Sequence, residues 1–303
     1  MNEVTQKAIH GALTAQPTSQ DATPTLVYLT NDFDIPIRMC GVSASGRLHG
    51  FWKIDAGATE GFSLYNFPAP QVILNFLSGS FMTVVEFVSG TTEYSVGVAD
   101  LTAPNDIGEV PTPNQETIVP QNTPRITVGV GVLPNGNFVV REQYWKKMPN
   151  SFSLAAGEQD TVSITTTSGI ERTSSTQEEV STSLGFSASA GWGPVSSSLS
   201  ASLSATASAF QQVTVREQTQ TYRSKVLSNT SGSSEMYLVW QLTDVTTVFN
   251  PTSYQALASL VSGEEPTIIS GPFDPDELPP PPTRNAEPAG YKPIEPVDGG
   301  DDA

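Results

Sequence analysis

Between Val180 and Ala209 the chain alternates apolar and small polar residues with a period of two. Val180, Thr182, Leu184, Phe186, Ala188 and Ala190 hold even positions. Ser181, Ser183, Gly185, Ser187 and Ser189 hold the odd ones. Beyond Gly191-Trp192-Gly193-Pro194 the parity inverts. Val195, Leu199, Ala201, Leu203, Ala205, Ala207 and Ala209 are odd, and Ser196, Ser198, Ser200, Ser202, Ser204, Thr206 and Ser208 are even; Ser197 breaks the apolar row. Such a run reads as two strands, each with one apolar and one polar face.

The turn checks this independently. Directly opposed residues of an antiparallel pair share a face. Apolar even positions can face apolar odd ones only across a loop of even length. Gly191-Trp192-Gly193-Pro194 is such a loop, with turn-forming residues Gly191, Gly193 and Pro194. Pairing Ala190 with Val195 sets Phe186 opposite Leu199 and Leu184 opposite Ala201. Of residues 161–210, twenty-three are Ser or Thr and one, Arg172, is basic. Polar strand text continues outward on both sides, so the predicted hairpin spans 161–226. Thirty residues of strand span on the order of 100 Å, and ~9–11 tilted residues cross a bilayer.

One hairpin cannot close a barrel, and its edges cannot lie unpaired in lipid. In lipid, several copies would each contribute one hairpin. The lipid-facing side would be Leu184, Phe186, Ala188, Ala190, Val195, Leu199, Ala201, Leu203 and Ala205, with Trp192 at the tip. The lumen would be lined by Ser183, Ser187, Ser189, Ser196, Ser198, Ser200, Ser202 and Ser204.

The rest of the chain predicts an all-β fold. An N-terminal segment, 1–24, is polar and reads as flexible. Residues 25–148 read as a β-sandwich-like domain and candidate receptor-binding part. Short strands are expected at Thr25–Thr30 and Gly50–Ile54, with turns at Asn31-Asp32 and Asp55–Gly57. Hairpins are expected around Ser78-Gly79 and Asn135-Gly136. Ala103 to Pro124 holds five prolines and reads as a long loop. Residues 149–271 form an elongated antiparallel region that carries the hairpin. Within it, Glu235–Leu242 reads as a buried strand that Val245–Phe249 extends. Tyr254–Val261 reads as a short helix, with Ser253 as its N-cap and Gly263 past its end. Residues 272–303 form a Pro-rich acidic tail, predicted to be disordered.

Net charge is −17, of which −6 sits in the last 31 residues: eight acids against Arg284 and Lys292. So acidic a chain repels phosphate backbones, and nucleic acid is not an expected partner. A single cysteine, Cys40, permits no internal disulfide, and two histidines leave no material for a zinc site or a Ser-His or Cys-His nucleophile. No enzyme activity, cofactor or metal is expected. Asp32 and Asp34 read as turn residues. Tyr65, Phe67, Trp52, Tyr144 and Trp145 read as core aromatics, with a sugar-binding surface as the alternative. Asn229-Thr-Ser is a glycosylation sequon. Met1–Gln16 lacks the apolar core of a signal peptide. The expectation is a chain made soluble without a Sec signal, released by lysis or a non-classical route.

The Ser/Thr-rich alternating hairpin, with its small apolar tip and long polar stems, resembles the insertion loop of aerolysin-like β-pore-forming toxins, including the epsilon-toxin/mosquitocidal-toxin group. The resemblance covers roughly residues 150–250. It implies an elongated soluble monomer that binds a glycan or protein receptor on a target-cell membrane, assembles into a homo-oligomeric ring and releases its hairpin into the membrane. It also implies removal of a terminal peptide, for which Arg284 and Lys292 are the exposed candidates; a passive solubilising tail is the alternative. A non-lytic lectin-like or structural β binding protein, its hairpin packed internally, is the competing reading.

Replacing Leu199 or Leu203 with Asp tests the assignment of the apolar face. A charge facing lipid costs ~2–4 kcal/mol at the midplane, somewhat less for an acid. The variants are expected to fold as the parent does and to lose insertion, measured as vesicle leakage; leakage at the parental level would refute the assignment.

Overall fold

Glu235–Phe249 carries fifteen residues without glycine or proline, rich in Val, Leu, Thr and aromatics. Such a segment suits a strand covered on both faces. In the computed structural model, which describes residues 25–42, 48–64, 70–88, 90–110, 122–148, 152–170 and 219–272, this segment is the longest strand, and every residue from Tyr237 to Phe249 is buried.

Fifteen strands are described: β1 (Thr25–Asn31), β2 (Ile37–Val42), β3 (Leu48–Ile54), β4 (Thr59–Leu64), β5 (Pro70–Asn75), β6 (Phe81–Glu86), β7 (Glu93–Val96), β8 (Ile126–Val132), β9 (Phe138–Lys147), β10 (Phe152–Leu154), β11 (Gln159–Ile170), β12 (Thr219–Ser228), β13 (Glu235–Phe249), β14 (Ala256–Gly263) and β15 (Thr267–Pro272). One 3-10 turn, Val98–Asp100, is the sole helical element among the described residues. The fold is all-β. Twelve strands form one sheet whose main path runs β12-β11-β14-β13-β9-β8-β6-β5-β2-β3, with β10 and β15 also paired to β13. A second sheet, β4-β1-β7, has three strands.

β13 pairs along both edges. On one, β9 runs antiparallel to it from Trp240↔Lys147 to Phe249↔Phe138, and β10 takes over at Tyr237↔Phe152. On the other, β14 pairs up to Thr243↔Gly263 and β15 resumes at Trp240↔Thr267. Two residues of β13, Gln241 and Leu242, thus face three, Glu264–Pro266, so β14 and β15 are one strand interrupted by a bulge. The Gln241 side chain fills the crossing, donating to the Glu264 carbonyl at 3.1 Å. A Cβ on Gly263 would collide with that carboxamide, so a larger residue there would displace the Gln241 side chain from the crossing.

The three-stranded sheet covers one face of the large sheet near its β3 end. Val27, Leu29, Phe62 and Val96 pack there with Ile37, Met39, Ile54, Ile73, Met82, Val130, Val140 and Phe249. Asn31, fully buried, locks the corner. Its Nδ2 lies 2.9–3.1 Å from the carbonyls of Ile35, Ile54 and Asp55, and its Oδ1 accepts the Phe33 N–H. The opposite face is closed partly by the loop after the 3-10 turn, where Ile107 packs with Val72, Phe81, Ile126, Val128 and Leu242.

A buried polar network pins that loop. Asp244 Oδ2 accepts from Arg141 Nε at 2.7 Å and from Gln143 Nε2 at 2.9 Å. Gln143 also pairs amide to backbone with Asn105: its Oε1 accepts the Asn105 N–H at 2.8 Å and its Nε2 donates to Asn105 Oδ1 at 2.9 Å. Trp145 Nε1 donates to the Gly108 carbonyl at 3.0 Å. Strand polar groups without water thereby find partners.

The hairpins at Ser78-Gly79 and Asn135-Gly136 form as the sequence predicts, with Gly79 and Gly136 at φ +77 and +84. Residues 254–261 differ from the expectation. They are not a helix; Ala256–Gly263 is β14. Asn250 Oδ1 accepts the N–H groups of Thr252 and Ser253, and Tyr254 sits at φ +56, reversing the chain so that it lies along β13. Ser253 Oγ accepts the Gln255 N–H at 3.4 Å, a turn contact in place of a helix cap. Pairing with a buried edge overrides the local preference of Ala-Leu-Ala-Ser-Leu for helix.

Removing one member of the buried ion pair strands the other. Asp244→Ala is expected to cost about 3–5 kcal/mol, read as a lower melting temperature by calorimetry. Adding Arg141→Met is expected to restore part of that loss; an unchanged melt for the single variant would show the network to be dispensable.

Candidate functional site

The predicted hairpin enters and leaves the large sheet through β11 and β12. These strands pair antiparallel without interruption from Gln159↔Ser228 to Ser168↔Thr219. Every pair joins an odd number to an even one, the parity that the alternation between Val180 and Ala209 requires. Thr161 and its partner Val226 are exposed, Val226 by 54%, whereas Val162 is 6% exposed. The even face of β11 is mixed at this level: Val162 is buried, whereas Asp160 and Lys225, which share its face, are exposed. The proposed apolar row beyond it has the parity of Val162.

The stem joins the body at two places. Ser168, Gly169 and Ile170 pair with Ser262, Val261 and Leu260 of β14. At the other end, a four-residue turn, Ala155–Glu158, and the loop after β12 close on Asn229. Glu158 Oε2 accepts the Ala155 N–H at 2.8 Å, and Gly157 takes φ +77. Asn229 is 2% exposed. Its Nδ2 donates to the carbonyls of Leu154 at 3.0 Å and Ser233 at 2.8 Å, and its Oδ1 accepts from Ser231 N–H and Oγ–H at 2.9 and 2.7 Å. Its backbone exchanges hydrogen bonds with Glu158 and Gly157. The sequon at Asn229 is therefore a structural clamp. Both amide hydrogens are engaged, and the folded chain presents no acceptor nitrogen there.

Residues 171–218 lie outside the described residues, and with them the whole apolar face, the serine face, Trp192 and the turn Gly191, Gly193 and Pro194. Arg284 and Lys292 also lie outside, as do segments 1–24 and 273–303.

Sequence-flagged residues of the body fall in separate places. Cys40 is buried, and burial pushes its thiol up to about 11, against the opposing pull of Arg38. Tyr144 is buried and Trp145 half-buried and hydrogen-bonded, so both belong to the interior. Trp52 is 43% exposed and meets Phe62 edge to face. Tyr65 and Phe67 lie outside the described residues. Among the described residues no three His, Cys, Asp or Glu come together to hold a metal ion, and no described helix is long and apolar enough to cross a membrane.

The structure also assembles a cluster the sequence did not reveal. The Arg38 guanidinium lies 5.7 Å from the Phe51 ring centroid and 5.1 Å from that of Phe76. Lys53 Nζ lies 5.2 Å from Phe76 and 5.0 Å from Tyr254. It donates to the Tyr254 hydroxyl at 3.3 Å and pairs with Asp55 at 2.6 Å; the Asp55 hydrogen bond raises its pKa. Phe76 meets Tyr254 edge to face, and Phe138 stacks on Tyr254. Lys53 and Tyr254 are 201 residues apart, and no local pattern marks them as neighbours.

No protein-family model matches the chain, and no curated protein matches it in sequence. Among solved structures it is similar to Cry35Ab1, with a TM-score of 0.34 and 11% identity over 66% of this chain and 65% of that one. The chain thus spans slightly less than two thirds of that structure's length. It is also similar to a DUF3823 family protein from Parabacteroides merdae, with a TM-score of 0.20 and 6% identity over 81% of this chain and all of the other. Likenesses this distant establish no shared function.

Asn229→Ala removes four side-chain hydrogen bonds and takes the Asn229 donor from the carbonyl of buried Leu154. The expected loss is about 2 kcal/mol, seen in thermal melts, with faster amide exchange in β11 and β12 than in β13. Unchanged exchange in the stem would show that Asn229 does not clamp it.

Proposed function

We propose that this protein is a β-pore-forming protein. A soluble monomer docks on a target membrane, assembles with copies of itself and contributes the hairpin centred on residues 171–218 to a shared barrel. The observation that carries the reading is the uninterrupted odd–even register of β11 and β12, set beside the alternation that follows it.

A barrel of one hairpin per copy has an even number of strands and no free edge. Carried to the tip without a bulge, the stem register sets Leu184 opposite Leu203 and Trp192 opposite Val195. That is two places along from the register in which Ala190 meets Val195. A shift of two keeps every side chain on its face; a shift of one would turn the apolar rows into the lumen. The serine face supplies a neutral, hydroxyl-lined channel. The outward face is mostly alanine, so insertion draws on assembly as well as on Leu184, Phe186, Leu199 and Leu203. The hairpin leaves the body by releasing three residue pairs between β11 and β14, while the Asn229 clamp holds its base.

Docking falls to the region around β1–β7, and the acidic tail is the segment whose removal, after Arg284 or Lys292, would license assembly. The charge of −17 works against adhesion to anionic lipid and against nucleic acid.

The test is dye release from liposomes and cell-derived vesicles, before and after limited trypsin treatment. Release accompanied by heat-resistant oligomers is the expected result. Absence of release from every membrane, with the hairpin protected from protease throughout, would contradict the proposal and leave a non-lytic binding protein.

A further inference from the structure

We infer that Arg38, held between Phe51 and Phe76, is a recognition site for the carboxylate of an acidic sugar. The inference goes beyond pore formation and does not depend on it.

Among described arginine side chains, Arg125 pairs with Glu142 and Arg141 with Asp244. Arg38 differs. Rings lie against its guanidinium at 5.1 and 5.7 Å, and no described carboxylate or carbonyl accepts from it. The two rings restrict the guanidinium, and its N–H donors meet no described acceptor. A guanidinium so held is prepared for bidentate contact with a planar oxyanion and loses little freedom on binding.

The surroundings narrow the ligand. Arg38 and Lys53 face each other across β2 and β3, but Asp55 already neutralises Lys53. Among the described residues the cluster therefore offers one positive charge without a carboxylate partner, which matches one carboxylate. The overall charge of −17 opposes polysulfated chains and anionic bilayers. The Phe51 ring is 58% exposed beside the fork. An exposed ring adjoining a carboxylate fork suits the apolar C–H face of a pyranose, so an acidic sugar on an otherwise neutral glycan fits better than a free anion. Phe76, Tyr254 and Phe138 buttress the arrangement, with Tyr254 held in its left-handed turn conformation.

The test is saturation-transfer NMR and titration of the full chain with the methyl α-glycoside of N-acetylneuraminic acid, its carboxyl methyl ester, methyl β-glucuronide and inorganic phosphate. Binding of at least one sugar carboxylate is expected, with no binding of the ester. Arg38→Gln is expected to weaken it about tenfold or more, with Arg38→Lys between the two. Phe51→Ala is expected to weaken the sugar without changing the thermal melt. Three results would overturn the inference: no binding by the folded parent, equal binding of acid and ester, or binding of phosphate in place of either sugar. Because no membrane enters the experiment, its failure is distinct from failure of pore formation.

Discussion

The structure depends on β13 being paired along both edges for most of its length. A strand covered on both faces and both edges exposes no backbone to water. Its polar groups then depend on partners inside the protein, a requirement that Trp240 Nε1 and Thr246 Oγ1 leave unmet among the described residues. That requirement accounts for the Arg141–Asp244–Gln143–Asn105 network, for the loop pinned by Trp145 and for the absence of a Cβ at Gly263, where Gln241 crosses the bulge. It also places β11. Because β14 occupies one edge of β13, the stem can reach the sheet only through the outer edge of β14, and does so over three pairs. A firmly built spine therefore carries a hairpin attached through a narrow seam.

Much of this was legible in the sequence, wherever the information was local. Asn135-Gly136 and Ser78-Gly79 mark their hairpins because a turn needing positive φ selects those residues. The all-β class follows from alternation and from the supply of Val, Thr and aromatics. The odd–even pairing of β11 with β12 has the parity that the alternation in the sequence beyond it calls for. What was not legible was set at long range. Ala256–Val261 resembles a helix until the edge of β13 is offered to it. Asn229 reads as a glycosylation acceptor until Leu154 and Ser233 are placed around its amide. Arg38, Lys53, Phe76 and Tyr254 carry no shared pattern, and only the sheet brings them together.

The two functional proposals occupy different parts of the molecule and rest on different physics. Recognition at Arg38, as proposed, would use a cation whose donors meet no described acceptor. Insertion, as proposed, would use the odd–even parity set in the β11–β12 pairing and continued in the sequence to Leu203. Cys40, the sole cysteine, lies buried on β2, two residues from Arg38, and burial pushes its thiol up to about 11. New cysteines can therefore be labelled selectively in the natural background.

That property permits the most direct measurement of the central claim. Each residue from Ser198 to Ala205 is replaced in turn by cysteine and labelled with an environment-sensitive fluorophore, and emission is read before and after vesicles are added. The account predicts an alternating response: labels at 199, 201, 203 and 205 move into an apolar medium, and those at 198, 200, 202 and 204 stay in water. A uniform response along the segment, or alternation of the opposite parity, would contradict it.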